Sequence, residues 1–150
     1  MNRSLTLSLA VAAALIMGAC GDGGTGPDDG GSNGGNNNPA RQILTDPSYA
    51  NVIQEIFNRR GCSSGSCHGS TQSAGLDLRS GSSRASLVNV ASTQTGTLRV
   101  IPGNANGSYL IIKVEGRQTV GDRMPPSGSA LDNIDLTNLK NWINQGAKSN

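Results

Sequence analysis

Two of the chain's three cysteines and its one histidine fall in a single run, Arg60-Gly61-Cys62-Ser63-Ser64-Gly65-Ser66-Cys67-His68-Gly69. Nothing else in the sequence restricts the fold so strongly. A Cys-His dipeptide with a second Cys just upstream is the sequence form of covalent c-type haem attachment. The two thiols form thioethers to the haem vinyl groups, and the adjacent imidazole becomes the proximal iron ligand. The usual spacing leaves two residues between the cysteines; here the pattern is Cys-x4-Cys-His. Other uses of the same residues stay open. Cys62 and Cys67 can form a disulfide with His68 as a bystander. A zinc site needs four ligands, or three and water, and two Cys with one His fall short of a closed site. A catalytic Cys-His pair is poorly served by adjacent side chains that point apart.

The N-terminus explains the third cysteine. Arg3 supplies a positive start and Leu5 to Met17 an apolar stretch of signal-peptide length, too short to span a bilayer as a helix. The stretch ends Leu15-Ile16-Met17-Gly18-Ala19-Cys20. Small residues directly before a Cys resemble a bacterial lipobox, in which Cys20 is diacylated and becomes the mature N-terminus; a plain signal peptide cut near Ala19 is the other reading. Gly21 rather than Asp follows the Cys, as in outer-membrane lipoprotein cargo. Residues 1–19 are thus expected to be a lipoprotein signal peptide, with the mature chain exported to the periplasmic face of a bacterial membrane or to the cell surface. Export places thiols where they can be oxidised, and with Cys20 taken by lipid, Cys62 and Cys67 remain as a pair.

Residues 20–41 carry the lipidated Cys and a Gly/Asn-rich tether. Gly21 to Pro39 contains no apolar residue and cannot bury surface, so it is expected to be disordered, with a reach of roughly 25 Å. The folded domain is residues 42–150. With one Phe, two Tyr and one Trp, the chain has little with which to build a large aromatic core, and a buried porphyrin would supply a flat apolar body. From Gln42 onward there are 10 basic and 7 acidic residues, a balance that does not call for nucleic acid.

Hydrophobic periodicity places the elements. Asp46-Pro47 is expected to open a helix carrying Tyr49, Val52, Ile53, Ile56 and Phe57 on one face, ending near Arg60 at Gly61. Ser83 to Val90 is a candidate short helix. Asn106-Gly107-Ser108 is expected to cap a helix over Tyr109 to Val114, although the β-branched run also suits a strand. Gly121 to Pro126 is expected to be a stiff loop, because each Pro fixes its own φ. Asp135 is expected to cap a last helix with Leu136, Leu139, Trp142 and Ile143 on one face, stopped by Gly146.

The second axial ligand follows by elimination. One His excludes bis-His ligation. Of Met1, Met17 and Met124, the first two leave with the signal, so Met124 is the one thioether left to the mature protein. It lies in the Pro-stiffened loop. Lys113, Lys140 and the Tyr109 oxygen are the remaining alternatives.

These residues resemble a known family. The span from about Tyr49 to Lys148 is similar to a monohaem class I c-type cytochrome domain, of the kind found in bacterial lipoproteins. The resemblance rests on Ile56-Phe57, Cys67-His68-Gly69, Gly75-Leu76-Asp77-Leu78, Val100-Ile101-Pro102-Gly103, Ser108-Tyr109-Leu110, Arg123-Met124-Pro125-Pro126 and Trp142-Ile143-Asn144-Gln145-Gly146-Ala147, in that order. It implies an all-α, cytochrome c-like fold: a few short helices wrapped around one haem, with the N- and C-terminal helices crossing. It implies His68 as proximal and Met124 as distal ligand, and a Pro carbonyl, best matched by Pro102, orienting the proximal imidazole. Because the haem fixes the separation of its vinyl groups, the longer spacer is expected to loop out. The function expected is electron transfer through one haem c, between redox protein partners, by a carrier rather than an enzyme, held to the membrane by its lipid anchor and without a small-molecule substrate. Two alternatives come from other classes: a haem-free lipoprotein binding module with a Cys62–Cys67 disulfide, and a haem sensor or peroxidase-like protein whose distal ligand is displaced.

Overall fold

Ser48 begins the first helical segment. Its backbone is extended and its hydroxyl accepts from the Asn51 amide. The Ile53 amide reaches back five residues to the Ser48 carbonyl, which makes Tyr49–Ile53 a π-helical turn. It runs straight into α1, Gln54–Arg59. These details come from a computed structural model, which describes residues 41–126 and 128–150. The expectations for the export signal, Cys20 and the tether at 21–39 lie outside the described residues.

The stripe read from the sequence is the buried one: Tyr49, Ile53, Ile56 and Phe57 enter the core and Val52 packs at its margin. The cap sits two residues later than expected. Asp46 faces the Lys148 ammonium at 3.3 Å instead, so Ser48 takes the capping role. Three further helices follow: α2, Ser83–Leu87; α3, Tyr109–Glu115; and α4, Asn133–Asn144. α2 ends at Leu87, short of Val90, because Val88 turns extended and the chain folds back on itself. Val88 forms an isolated parallel bridge with Val100, and Ala91 an antiparallel one with Leu98. The β-branched run after Ser108 is helix, terminated by Gly116 at φ 77°, the left-handed position that Gly adopts without a Cβ penalty. α4 is capped by Asp132, whose carboxylate accepts from the Asp135 amide at 2.9 Å; the sequence reading placed this cap at Asp135.

Among the described residues the regular elements are short helices, and none is a strand, as an all-α chain requires. The π-helical turn packs on α4, as does α3. The Tyr49 and Trp142 rings meet at 5.1 Å between centroids, tilted by 44°, and Trp142 is 1 % exposed. The first and last helical segments are therefore in contact, through the aromatics the periodicity placed on their inner faces. No described helix is long and apolar enough to cross a membrane.

Candidate functional site

α1 delivers the chain to Cys62. Past Gly61, at φ 71°, the Cys62 amide returns to the Phe57 carbonyl at 2.8 Å. The next four residues fold on themselves: Cys67 and Gly69 amides donate to the Ser64 carbonyl, and the Thr71 amide and hydroxyl both donate to the Gly65 carbonyl. The His68 amide donates to the Cys62 carbonyl at 3.1 Å. The four-residue spacer thus bulges while the chain around it stays closed.

The cysteines and His68 face one cavity of about 350 Å³, within the range of about 300–1,000 Å³ common for small-molecule sites. Its walls are mostly apolar: Phe57, Leu76, Leu78, Leu87, Leu110 and Val114. Met124, Pro125 and Pro126 form another part of the lining. The Met124 loop is tied to α3 by the Met124 amide, which donates to the Lys113 carbonyl at 3.0 Å. So Cys62, Cys67, His68 and Met124, chosen from spacing and elimination, share one cavity.

Pro102 does not join them. The Nδ1 of His68 lies 2.9 Å from the Ser73 carbonyl, and Pro102 is absent from the lining. A carbonyl only accepts, so this contact requires the proton on Nδ1 and leaves the Nε2 lone pair free. Burial holds the imidazole below its ordinary pKa, and the nearby charges of Arg99 and Lys113 push the same way, against the Ser73 bond and a lesser bond with the Leu76 backbone. A neutral ring with a free Nε2 is the form that binds a metal. Cys62 and Cys67 are free thiols, and burial pushes the Cys62 thiol up to about 11.

Of the other ligand alternatives, Lys113 and Tyr109 line the cavity, whereas Lys140 pairs with Glu115 and does not. Among the described residues no three of His, Cys, Asp and Glu gather as a metal-holding group.

The sequence reading missed the cavity's charges. Arg99 is 7 % exposed and Lys113 8 %, and neither meets a carboxylate among the described residues. Arg99 donates to the Ser86, Ala74 and Gly75 carbonyls. The Lys113 ammonium reaches the Val120 carbonyl at 3.3 Å and lies 5.9 Å from the Tyr109 ring centre. Arg60, also in the lining, is neutralised by Asp132 and Asp135. Two buried cations without acidic partners are costly unless an anionic ligand meets them. An Arg in a Val-rich extended run and a Lys within an apolar helix were the available signals. Tyr109, Ser66, Ser73, Ser92 and Gln94 add neutral polar groups to the lining.

No family model, curated protein or solved structure matches this chain.

Proposed function

We propose that this domain is a one-electron carrier of the monohaem c-type cytochrome kind, with a cytochrome c-like fold. The observation that carries the reading is the convergence of Cys62, Cys67, His68 and Met124 on one apolar cavity, although Met124 lies in a separate loop beyond α3.

The residues fit haem c on four chemical counts. Two free thiols stand ready for thioether formation. His68 offers a free Nε2 lone pair. The thioether of Met124 is available as the second axial donor. Arg99 and Lys113 supply positive charge for the two carboxylates that a haem carries. Bound there, a haem would supply one-electron chemistry, with His68 and Met124 the residues that would hold its iron; His/Met ligation favours a higher potential than bis-His ligation. The protein's share is to fix the imidazole tautomer, hold the thioether in a Pro-bounded loop and exclude water with the Leu and Val walls. With His68 and Met124 both holding the iron, the chain would leave it no position for a substrate. The lipid anchor at Cys20 and the exported location complete the proposal, with redox proteins at the same membrane as partners.

The test is the protein produced in a host with haem-attachment machinery. We expect a haem stain that survives denaturing electrophoresis, a c-type α band on reduction, and an intact mass of one haem with neither Cys62 nor Cys67 left titratable. Met124→Ala should abolish the weak red absorption of an iron–thioether bond. Absence of covalent haem sinks the reading, and an unchanged oxidised spectrum in Met124→Ala removes Met124 from the iron. A spectrum that changes on adding small neutral ligands to the wild type favours the sensor alternative.

A further inference from the structure

The turn that holds His68 is itself strained. Ser73–Gly75 supplies the acceptor carbonyl for His68 Nδ1. The residue before it, Gln72, has φ 49°, and Ala74 has φ 56°. Both are non-Gly residues in the left-handed region, where Cβ crowds the following carbonyl oxygen. Such a conformation persists only where its surroundings over-determine it. Besides His68, two side chains among the described residues donate to this turn. Arg99 Nη2 donates to the Ala74 carbonyl at 3.0 Å and to the Gly75 carbonyl at 3.1 Å. The Thr93 hydroxyl donates to the same Ala74 carbonyl at 2.9 Å. Arg99 Nη1 is meanwhile anchored on the Ser86 carbonyl of α2 at 2.9 Å, and the residue is buried.

We infer that Arg99 is the positioning residue of the imidazole. Its guanidinium bridges α2 to the strained 73–75 turn and thereby holds the Ser73 carbonyl on His68 Nδ1. This deepens, and for its role at the iron rests on, the c-type cytochrome reading, but the hydrogen-bond chain itself lies wholly within the protein. The planar fork matters. One nitrogen spans two adjacent carbonyls while the other reaches a third, a geometry that a Lys ammonium on a flexible stem does not reproduce.

The test follows the His68 Nδ1–H proton by ¹⁵N-resolved NMR in the full chain as isolated and reduced. In the wild type this proton should be a single, slowly exchanging resonance. In Arg99→Lys, which retains the charge and loses the fork, exchange should accelerate at least tenfold, and Arg99→Gln should match it. Thr93→Val removes one donor from an exposed position and should give a smaller acceleration in the same direction; it and Arg99→Lys carry the test if Arg99→Gln does not fold. Unchanged exchange in Arg99→Lys overturns the inference, as does an effect confined to Arg99→Gln, which would assign the role to charge and not to the fork. A wild type that isolates without haem overturns the proposed function but leaves this measurement intact, because it reads the imidazole and not the iron.

Discussion

The His68 amide donates to the Cys62 carbonyl at 3.1 Å, so the two ends of the cysteine loop are joined by the backbone itself. Gly69, immediately after, lies so close that a Cβ there would press on the carbonyl oxygens of Ser63 and Ser64. Backbone oxygens cannot rotate away. Gly69→Ala is therefore expected to destabilise the fold by about 1–3 kcal/mol, read as a lower urea midpoint with an unchanged slope. The control is Gly65→Ala. A Cβ there meets only the Ser70 hydroxyl at 3.3 Å, which can turn aside, so the change should stay within about 0.5 kcal/mol. Equal losses at both sites would mean that the loop is not folded on itself as described.

Asp135 joins the two ends of the helical frame. Its side chain is 2 % exposed and accepts from Arg41 Nη1 at 2.9 Å, Arg59 Nη2 at 2.8 Å and Arg60 Nε at 2.6 Å. The beginning of α4 is thereby pinned to the end of α1, one residue before the turn into Cys62. Removing one partner of a buried ion cluster leaves the other charges uncompensated, at a cost of about 3–5 kcal/mol. Asp135→Ala should approach the low end of that range, because each Arg keeps some solvent contact. Glu55→Gln breaks only the exposed pair within α1 and should cost less than about 1 kcal/mol. Chemical unfolding of the two variants side by side decides whether the cluster is structural.

How far these features could be read beforehand depends on the range of the interaction. Periodicity found the buried face of α1 because Tyr49, Ile53, Ile56 and Phe57 repeat within one element, and it found the matching face of α4. Helix starts were placed less well. Asp132 and Asp135 are three residues apart and equally suited to cap; Asp132 takes the Asp135 amide, while the Asp135 carboxylate is held by Arg41, Arg59 and Arg60, which are distant in sequence. That Cys62, Cys67, His68 and Met124 belong together was legible through scarcity, since few other donors exist in the chain, and they do share one cavity. The orienting carbonyl was not. Ser73 offers no side-chain signal for that role, and its carbonyl reaches His68 only because Gln72 and Ala74 take left-handed conformations that no local preference announces.

Lys113 gives a prediction whose sign depends on what fills the cavity. Its ammonium is buried without a carboxylate partner among the described residues and rests on a backbone carbonyl. In the chain without an anionic ligand, Lys113→Met should raise stability by about 1 kcal/mol, because a buried charge without a carboxylate partner leaves the interior, outweighing its bond to the Val120 carbonyl. If the cavity takes the proposed haem, the same change should lower the stability of the loaded protein, because a carboxylate of the ligand would lose its cation. Melting temperatures of both forms, for wild type and variant, provide the four values required. A shift of one sign in both forms would show that Lys113 does not face the anionic part of the ligand.

Tyr49 makes the fold sensitive to alkali. Its phenol donates to the Ser83 hydroxyl inside the core, and burial raises its pKa to about 12, only partly opposed by the Ser83 bond and the charge of Arg84. A free tyrosine ionises near pH 10, at about two units less. Between these values the unfolded chain has released the proton and the folded chain retains it. The unfolded state then binds fewer protons, so stability falls as pH rises. The contribution is whole below about pH 10 and is lost as the pH climbs through about 12. Urea midpoints measured from pH about 8 to about 11 should therefore decline more steeply in the wild type than in Tyr49→Phe. Below pH 10 Tyr49→Phe is the less stable protein by about 1 kcal/mol, since the Ser83 hydroxyl loses its donor while its own bond to Gln54 remains. Parallel decline of the two proteins across the whole range would place the alkaline sensitivity elsewhere than on this phenol.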